Sequence, residues 1–192
     1  HNNMLEYGHT YYVTIDNGVL NLADGSFQGV TKEDEWIFTT KSDMPELSDT
    51  LIVDATGKGD FNTVQGALDF IPDFNERQTV ILVNPGDYEE LVYTRNKWHV
   101  KIKGAGMADT KVHYANNEVF NPHPLTVKTN EWPGTFPSRR AAFMLDNCKD
   151  IVIEDMTIAT DLKGQAEGLL INGERIALYR VHIIGSGDAL QA

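Results

Sequence analysis

The sequence predicts an all-β fold: an incomplete right-handed parallel β-helix with a short N-terminal capping helix, preceded by a few strands of a β-sandwich module. Three observations predict it. Short runs rich in β-branched residues follow one another through most of the chain. Few of them are joined by the two-residue links that mark hairpins. Two of the longer segments also repeat each other at a fixed spacing, which is typical of a solenoid.

Composition narrows the classes of partner. The 192 residues carry a formal net charge of −12, so long-range repulsion disfavours nucleic acids and anionic membrane surfaces. No stretch reaches the roughly 20 apolar residues that a membrane-spanning helix needs. We therefore expect no nucleic-acid partner and no membrane span, and the sequence leaves the oligomeric state open.

The N-terminal part predicts a partial β-sandwich module and a linker. The runs YYVTI from Tyr11 and WIFTT from Trp36 have strand character, and Asn-Gly and Asp-Gly dipeptides between them offer turn positions. This pattern resembles the last strands of a bacterial immunoglobulin-like domain. The polar segment 41–50 has no periodicity and predicts a linker. We therefore assign residues 1–47 to a partial immunoglobulin-like module with its linker, and residues 48–192 to the N-terminal portion of the β-helix.

One amphipathic helix is predicted ahead of the β-helix strands. Apolar residues recur at i, i+3, i+4 and i+7 from Val64 to Ile71. Asp60 or Asn62 is the candidate N-cap, and Pro72 ends the run. We expect this helix to cover the lower end of the stack of coils, where core and strand edges would otherwise meet water.

The repeat itself predicts which residues stack. The segment FMLDNCKDIVIEDMTI is matched 25 residues later by LLINGERIALYRVHII. Its apolar residues Ile151, Ile153, Met156 and Ile158 are answered by Ile176, Leu178, Val181 and Ile183. Apolar i, i+2 pairs point one face of each strand into a shared core. Val100 and Ile102 lie 51 residues before Ile151 and Ile153, a separation that we interpret as about two periods.

Four segments carry motif-like patterns: GDFNTVQGALDFIPD from Gly59, VILVNPGDYEE from Val80, TFPSRRAAF from Thr135 and GQAEGLLINGERIALYRVHIIGSGDAL from Gly164. They resemble, in that order, GDFxTVQxAIDxIP, I-x-V-x-P-G-x-Y-x-E, TFxSAT and QAVALxVxGDRxAFYNCxFxGxQDTL, the motifs of the pectin methylesterases (pectinesterases) of plants and bacteria. The resemblance implies a carbohydrate esterase that hydrolyses the methyl esters of polygalacturonate in pectin, giving pectate and methanol. Its implied partner is pectin, methylated homogalacturonan, and its implied location is secreted, cell-surface or periplasmic in a bacterium.

The resemblance also implies an aspartate-dyad mechanism without a metal or other cofactor. Such a reaction needs a nucleophile, an amide donor for the oxyanion and an acid for the departing methanol. Gln165 matches the family's oxyanion donor and substrate contact, Asp188 matches its acid and base, and Thr135 matches its substrate-contacting threonine. The structural alternatives are a loop-capping amide for Gln165, a turn aspartate for Asp188 and a loop hydroxyl for Thr135. Alternation along a coil predicts that the other ionisable residues nearby face solvent: Glu167, Tyr179, Arg180 and His182.

Two departures from the family pattern affect the predicted site. Gly187 stands where the family has a second glutamine before the aspartate, and Gln191 is the candidate substitute donor. The family's nucleophilic aspartate would follow Ala192, so we expect this chain by itself to be inactive as an esterase.

Two other readings of the β-helix stay open. A pectate lyase or polygalacturonase-like enzyme is one, because lyases of this kind hold calcium between acidic residues. The candidate acidic cluster comprises Asp146, Asp150, Glu154 and Asp155. The other is a non-catalytic carbohydrate-binding β-helix, which Gly187 would favour.

Overall fold

The computed structural model describes residues 5–23, 25–46, 48–119 and 140–192. The chain divides into two compact units, His1–Glu46 and Leu47–Ala192. Within the described ranges, no helix combines the length and apolarity that a membrane crossing requires.

The first unit is built of short antiparallel pairs. Strand β1 (Thr10–Tyr12) pairs with β4 (Ile37–Thr39), and β2 (Asn21–Leu22) pairs with β3 (Gly25–Ser26). The strands predicted at YYVTI and WIFTT are therefore present in shortened form, and they are hydrogen-bonded to each other. The immunoglobulin-like character of this unit stays a prediction.

The second unit holds a nine-stranded sheet in which all the pairings are parallel. Its strands are β5 (Thr50–Val53), β6 (Thr79–Val83), β7 (Gly86–Glu89), β8 (Val92–Arg95), β9 (Trp98–Lys103), β10 (Thr110–Tyr114), β11 (Phe143–Thr160), β12 (Leu169–Ile184) and β13 (Leu190–Gln191). Helix α1 (Val64–Phe70) lies between β5 and β6 in the chain.

These strands wind into coils with three faces. Strand β11 pairs with β8 at its start, with β9 in its middle and with β10 at its end, and β12 lies beside it through all three sections. The first face therefore contains β8, β11, β12 and β13, and the second contains β5, β6, β9, β11 and β12. The third contains β7, β10, β11 and β12. This arrangement confirms the predicted parallel β-helix.

The predicted ladder of core residues is confirmed in register. The four apolar pairs that the 25-residue repeat defines are direct neighbours on β11 and β12: Ile151 with Ile176, Ile153 with Leu178, Met156 with Val181, and Ile158 with Ile183. The members on β11 are at most 1% exposed. A stack of matching side chains therefore fills the interior of the coils.

The interpretation of the 51-residue separation as two periods is wrong. Val100 pairs directly with Ile151, and Ile102 with Ile153, so β9 and β11 belong to adjacent coils. The separation exceeds one 25-residue period because a long connection joins Tyr114, the last residue of β10, to Phe143, the first residue of β11. An insertion of this kind leaves the register of the strands unchanged, because it lies outside the ladder.

The bends between faces occur at residues with positive φ. Asp150 (φ 55°) and Asp155 (φ 58°) bend β11, and Arg175 (φ 54°) and Arg180 (φ 51°) bend β12. Each arginine lies 25 residues after an aspartate and forms a two-pronged ion pair with it, with Nε–Oδ1 distances of 2.5 Å. The ion pairs therefore connect one corner of a coil to the same corner of the next.

The N-cap of helix α1 lies one residue after Asn62 and three residues after Asp60, the two predicted candidates. Its N-cap is Thr63, whose Oγ1 accepts a hydrogen bond from Gly66 N at 3.1 Å, so the prediction of Asp60 or Asn62 is wrong. The carboxylate of Asp60 instead accepts from Ile52 N at 2.8 Å, on strand β5. The apolar side of α1 packs against β5, β6 and β8, as expected for a helix at the end of the stack.

Glu90 connects the two N-terminal motifs. Its Oε1 accepts from Val64 N and its Oε2 from Gln65 N, both at 2.8 Å, so it bonds two of the otherwise unpaired donors at the start of α1. Glu90 is 9% exposed. Burial raises the pKa of its carboxyl, and the two N–H donors oppose that rise. The GDFNTVQ and PGDYEE segments are thus held together by one side chain.

Candidate active site

The first face of the β-helix brings the segments of Gln165 and Asp188 together. Gln165 precedes β12 and Asp188 precedes β13, and these strands pair through Leu169 and Leu190. A Cβ atom placed on Gly187 would lie 3.9 Å from Gln165 Cα, so the turn before Asp188 rests against the backbone of Gln165. Gln165 and Asp188 are both exposed residues. An amide and a carboxyl group are therefore presented to solvent from neighbouring turns.

Backbone hydrogen bonds hold the two turns in place. Ala166 and Ser186 exchange both of their N–H···O bonds, at 3.0 and 2.8 Å. Gly164 N donates to Ser186 Oγ at 3.1 Å, and Glu118 N donates to Gln165 O at 3.1 Å. The site thus has a defined backbone although it is built from turns.

Gly187 has a conformational reason to be glycine. Its φ is +91°, and a Cβ atom there would lie 3.2 Å from Gly164 O. An L-residue is strained at this φ, and its side chain would crowd the neighbouring turn. In this backbone, position 187 therefore cannot supply the amide side chain that the motif has there.

A buried ion pair lies beside the two turns. Arg140 Nε lies 2.6 Å from Glu167 Oε1 and 2.8 Å from Oε2, and the contact to Oε2 has hydrogen-bond geometry. The Glu167 side chain is 0% exposed and that of Arg140 is 14% exposed. Arg140 Nη2 also donates to Gln191 Oε1 at 3.2 Å.

The prediction that Glu167 faces solvent is therefore wrong. Glu167 lies in the turn before β12, where the regular alternation of a strand does not apply, and its charge is tolerated in the interior because Arg140 pairs with it. Tyr179, Arg180 and His182 lie within β12 and are exposed, as predicted. Sequence reasoning did not single out Arg140, although the two arginines of TFPSRRAAF depart visibly from TFxSAT.

Thr135 lies outside the described residues, so its predicted contact with substrate stays a prediction. Gln165 and Asp188 lie in neighbouring turns, and their catalytic roles also stay predictions.

The candidate calcium cluster consists of carboxylates that already have basic partners. Asp146 pairs with Arg95, and Glu154 Oε1 lies 2.8 Å from Lys101 Nζ. Asp150 and Asp155 pair with the corner arginines of the next coil. These basic partners, led by their hydrogen bonds, lower the pKa values of Asp150, Glu154 and Asp155. The described residues contain no group of three His, Cys, Asp or Glu side chains able to hold a metal ion.

Comparison with known proteins identifies the family. The sequence model of the pectinesterase family matches residues 50–192. The chain belongs to the pectinesterase family. Pectinesterase QRT1 of Arabidopsis thaliana is 26% identical over 171 residues, which cover 84% of this chain and 44% of the relative. Probable pectinesterase 67 of the same plant is 33% identical over 96 residues, 46% of this chain and 28% of the relative.

Solved structures agree on the fold. Pectin methylesterase from carrot superposes with a TM-score of 0.61 at 21% identity, covering 78% of this chain and 44% of that one. Pectin methylesterase PemA from Erwinia chrysanthemi gives 0.58 at 20% identity, covering 77% and 46%. A pectin methylesterase in complex with a hexasaccharide gives 0.55 at 23% identity, covering 73% and 44%. This pectinesterase-family chain thus spans less than half the length of each of these proteins.

Proposed function

We propose that the protein is a carbohydrate esterase that hydrolyses the methyl esters of polygalacturonate in pectin, releasing methanol. The observation that carries the proposal is the placement of Gln165 and Asp188 on adjoining exposed turns of a pectinesterase-family β-helix. An amide donor and a carboxyl group on adjoining turns are two of the three groups that ester hydrolysis needs.

The proposed roles follow from the chemistry of each side chain. Gln165 donates an N–H to the oxygen that becomes negative when the ester carbonyl is attacked. Asp188 donates a proton to the departing methanol and then removes one from the incoming water. The reaction also needs a nucleophile, a role that the family resemblance assigns to a second aspartate. No metal or other cofactor takes part in these steps.

The proposed substrate is a polysaccharide chain rather than a small ester. Support comes from the family match and from the related methylesterase that was solved with a hexasaccharide. A polysaccharide substrate outside the cell is consistent with a secreted, cell-surface or periplasmic bacterial protein, which we also propose.

The test is methanol release from highly methylated pectin by the full-length gene product. We expect Asp188→Ala to lower kcat by about 10²- to 10⁴-fold, and Gln165→Ala by about 10²- to 10³-fold. Asp43→Ala removes an exposed aspartate of the first unit and should leave the rate unchanged. Release by Asp188→Ala at the wild-type rate would exclude the proposed acid and base.

A second candidate function is favoured by Gly187, which removes an amide donor from the motif. In this second candidate, the protein is a non-catalytic β-helix that binds pectin. Wild-type protein that releases no methanol but retains affinity for methylated pectin would establish this reading. Cleavage of pectate that depends on added calcium would instead establish a lyase.

A further inference from the structure

The amide of Gln191 has a defined orientation. Arg140 Nη2 lies 3.2 Å from Gln191 Oε1. A guanidinium only donates hydrogen bonds, so the atom that faces it must be the amide oxygen. The amide nitrogen Nε2 is the other terminal atom of the amide, so its two N–H groups do not bond to Arg140.

Arg140 is itself held by the buried carboxylate of Glu167. Both carboxylate oxygens of Glu167 lie within 2.8 Å of Arg140 Nε, and the Glu167 side chain is 0% exposed. Taking two charges out of water is costly, and the cost is offset only when their geometry and remaining hydrogen bonds are good. This pair therefore fixes the guanidinium and leaves Nη2 to hold Gln191.

Gln191 lies on the outer side of the first face. It pairs with Leu170, which is the neighbour of Met144 on β11. Met144 and Leu170 are 1% exposed and form an apolar cluster with Ala141, separate from the main core. Gln191 is therefore stacked above the outer cluster, three residues beyond Asp188 on the same strand and its turn.

Three departures from the family motifs coincide at this place. TFxSAT has Thr where this chain has Arg140, QAVAL has Val where it has Glu167, and QDTL begins with Gln where it has Gly187. The amide lost at position 187 is thus accompanied by a new ion pair that orients another amide nearby.

We infer that Gln191 is the second amide donor of the site, and that Arg140 and Glu167 are positioning residues that aim its N–H groups at the ester. The inference rests on the proposed function, since it names a further group for the same reaction. A donor directed at a developing oxyanion acts more strongly in the transition state than in the ground state, so its loss should lower kcat rather than raise KM.

The first experiment measures kcat and KM for methanol release from methylated pectin with the full-length gene product. We expect Gln191→Ala to lower kcat by about 100-fold, with KM changed by less than about 3-fold. Gln78→Ala, an exposed glutamine on another part of the β-helix, is the matched control and should behave as wild type. Wild-type kcat in Gln191→Ala overturns the inference while leaving the proposed function intact.

The second experiment separates positioning from stability. The double variant Arg140→Thr/Glu167→Val installs the motif residues and leaves no unpaired buried charge, so it should fold with a urea midpoint near that of wild type. We expect the decrease in kcat of this double variant to be nearly as large as that of Gln191→Ala. Adding Gln191→Ala to it should lower kcat no further, because the three residues act as one unit.

These outcomes distinguish the positioning role of Arg140 and Glu167 from the proposed esterase function. A double variant with wild-type kcat, or additive losses with Gln191→Ala, overturns the positioning role. Wild-type protein that releases no methanol overturns the proposed function and this inference with it.

Discussion

Replacing Glu90 by alanine should lower the free energy of unfolding of the β-helix unit by about 3 kcal/mol. Its carboxylate accepts hydrogen bonds from Val64 N and Gln65 N, both at 2.8 Å, and the residue is 9% exposed. Hydrogen bonds to a charged group contribute roughly 1.5 to 3 kcal/mol each. Two bonds at the lower end of that range give the figure. We take the lower end because a buried carboxylate loses solvation by water, which offsets part of the gain and raises the pKa of Glu90.

The assay is urea-induced unfolding followed by far-UV circular dichroism. Glu90→Gln keeps one acceptor oxygen, so it should lower the free energy of unfolding by about half as much as Glu90→Ala does. A loss of about 3 kcal/mol corresponds to a fall in Tm of roughly 6 to 12 °C for a unit of this size. The matched control is Glu89→Ala, because Glu89 is the adjacent glutamate and is exposed. Losses for Glu90→Ala and Glu89→Ala that agree within about 0.5 kcal/mol would refute the reasoning.

Three further outcomes are expected from the β-helix core and corners. In urea unfolding, Ile153→Ala should lower the free energy of unfolding by about 2 to 5 kcal/mol, because Ile153 is fully buried. Ile184→Ala, at a site that is 40% exposed, should lower it by less than about 1 kcal/mol. Equal losses for the two variants would contradict the assignment of Ile153 to the core. Gly104→Ala should lower the free energy of unfolding by about 1 to 3 kcal/mol, because the new Cβ atom would lie 2.2 Å from Asp155 O. An unchanged free energy of unfolding would show that the backbone can move to accommodate the methyl group. The hydrogen bond from Arg180 lowers the pKa of Asp155, so its stabilisation is present above the unfolded pKa of about 3.9 and is lost as pH falls through the lower folded value. The stability difference between wild type and Asp155→Asn should therefore shrink below about pH 4, and a difference that is constant with pH would exclude this ion pair as its cause.

The register of the solenoid could be predicted because it is a one-dimensional property. Residues that stack in a β-helix occupy equivalent positions of successive coils, so a constant spacing in the sequence becomes contact in space. The pairs Ile151–Ile176 and Ile153–Leu178 followed from the 25-residue repeat for this reason. The same rule predicts the wrong number of coils between Val100 and Ile151, because a long insertion lengthens the sequence between two adjacent coils without moving their strands.

Local signals located the helix but not its cap. The i, i+3, i+4 spacing identified α1, since amphipathic periodicity is encoded within a few turns of the chain. The sequence predicts Asp60 or Asn62 as the N-cap and does not single out Thr63, the polar residue directly before Val64. The tertiary structure selects Thr63 because Asp60 is already bonded to Ile52 on strand β5.

The sequence by itself determined the fold class and the family, because the 25-residue repeat and the motifs at fixed spacing are properties of the linear chain. That the turns of Gln165 and Asp188 adjoin is a result of the tertiary structure. Only the tertiary structure decided that Glu167 is buried against Arg140, and that Arg140 donates a hydrogen bond to the amide oxygen of Gln191. These contacts join residues 27 and 51 positions apart through turns. Their geometry depends on how three segments pack together, and no local periodicity records it.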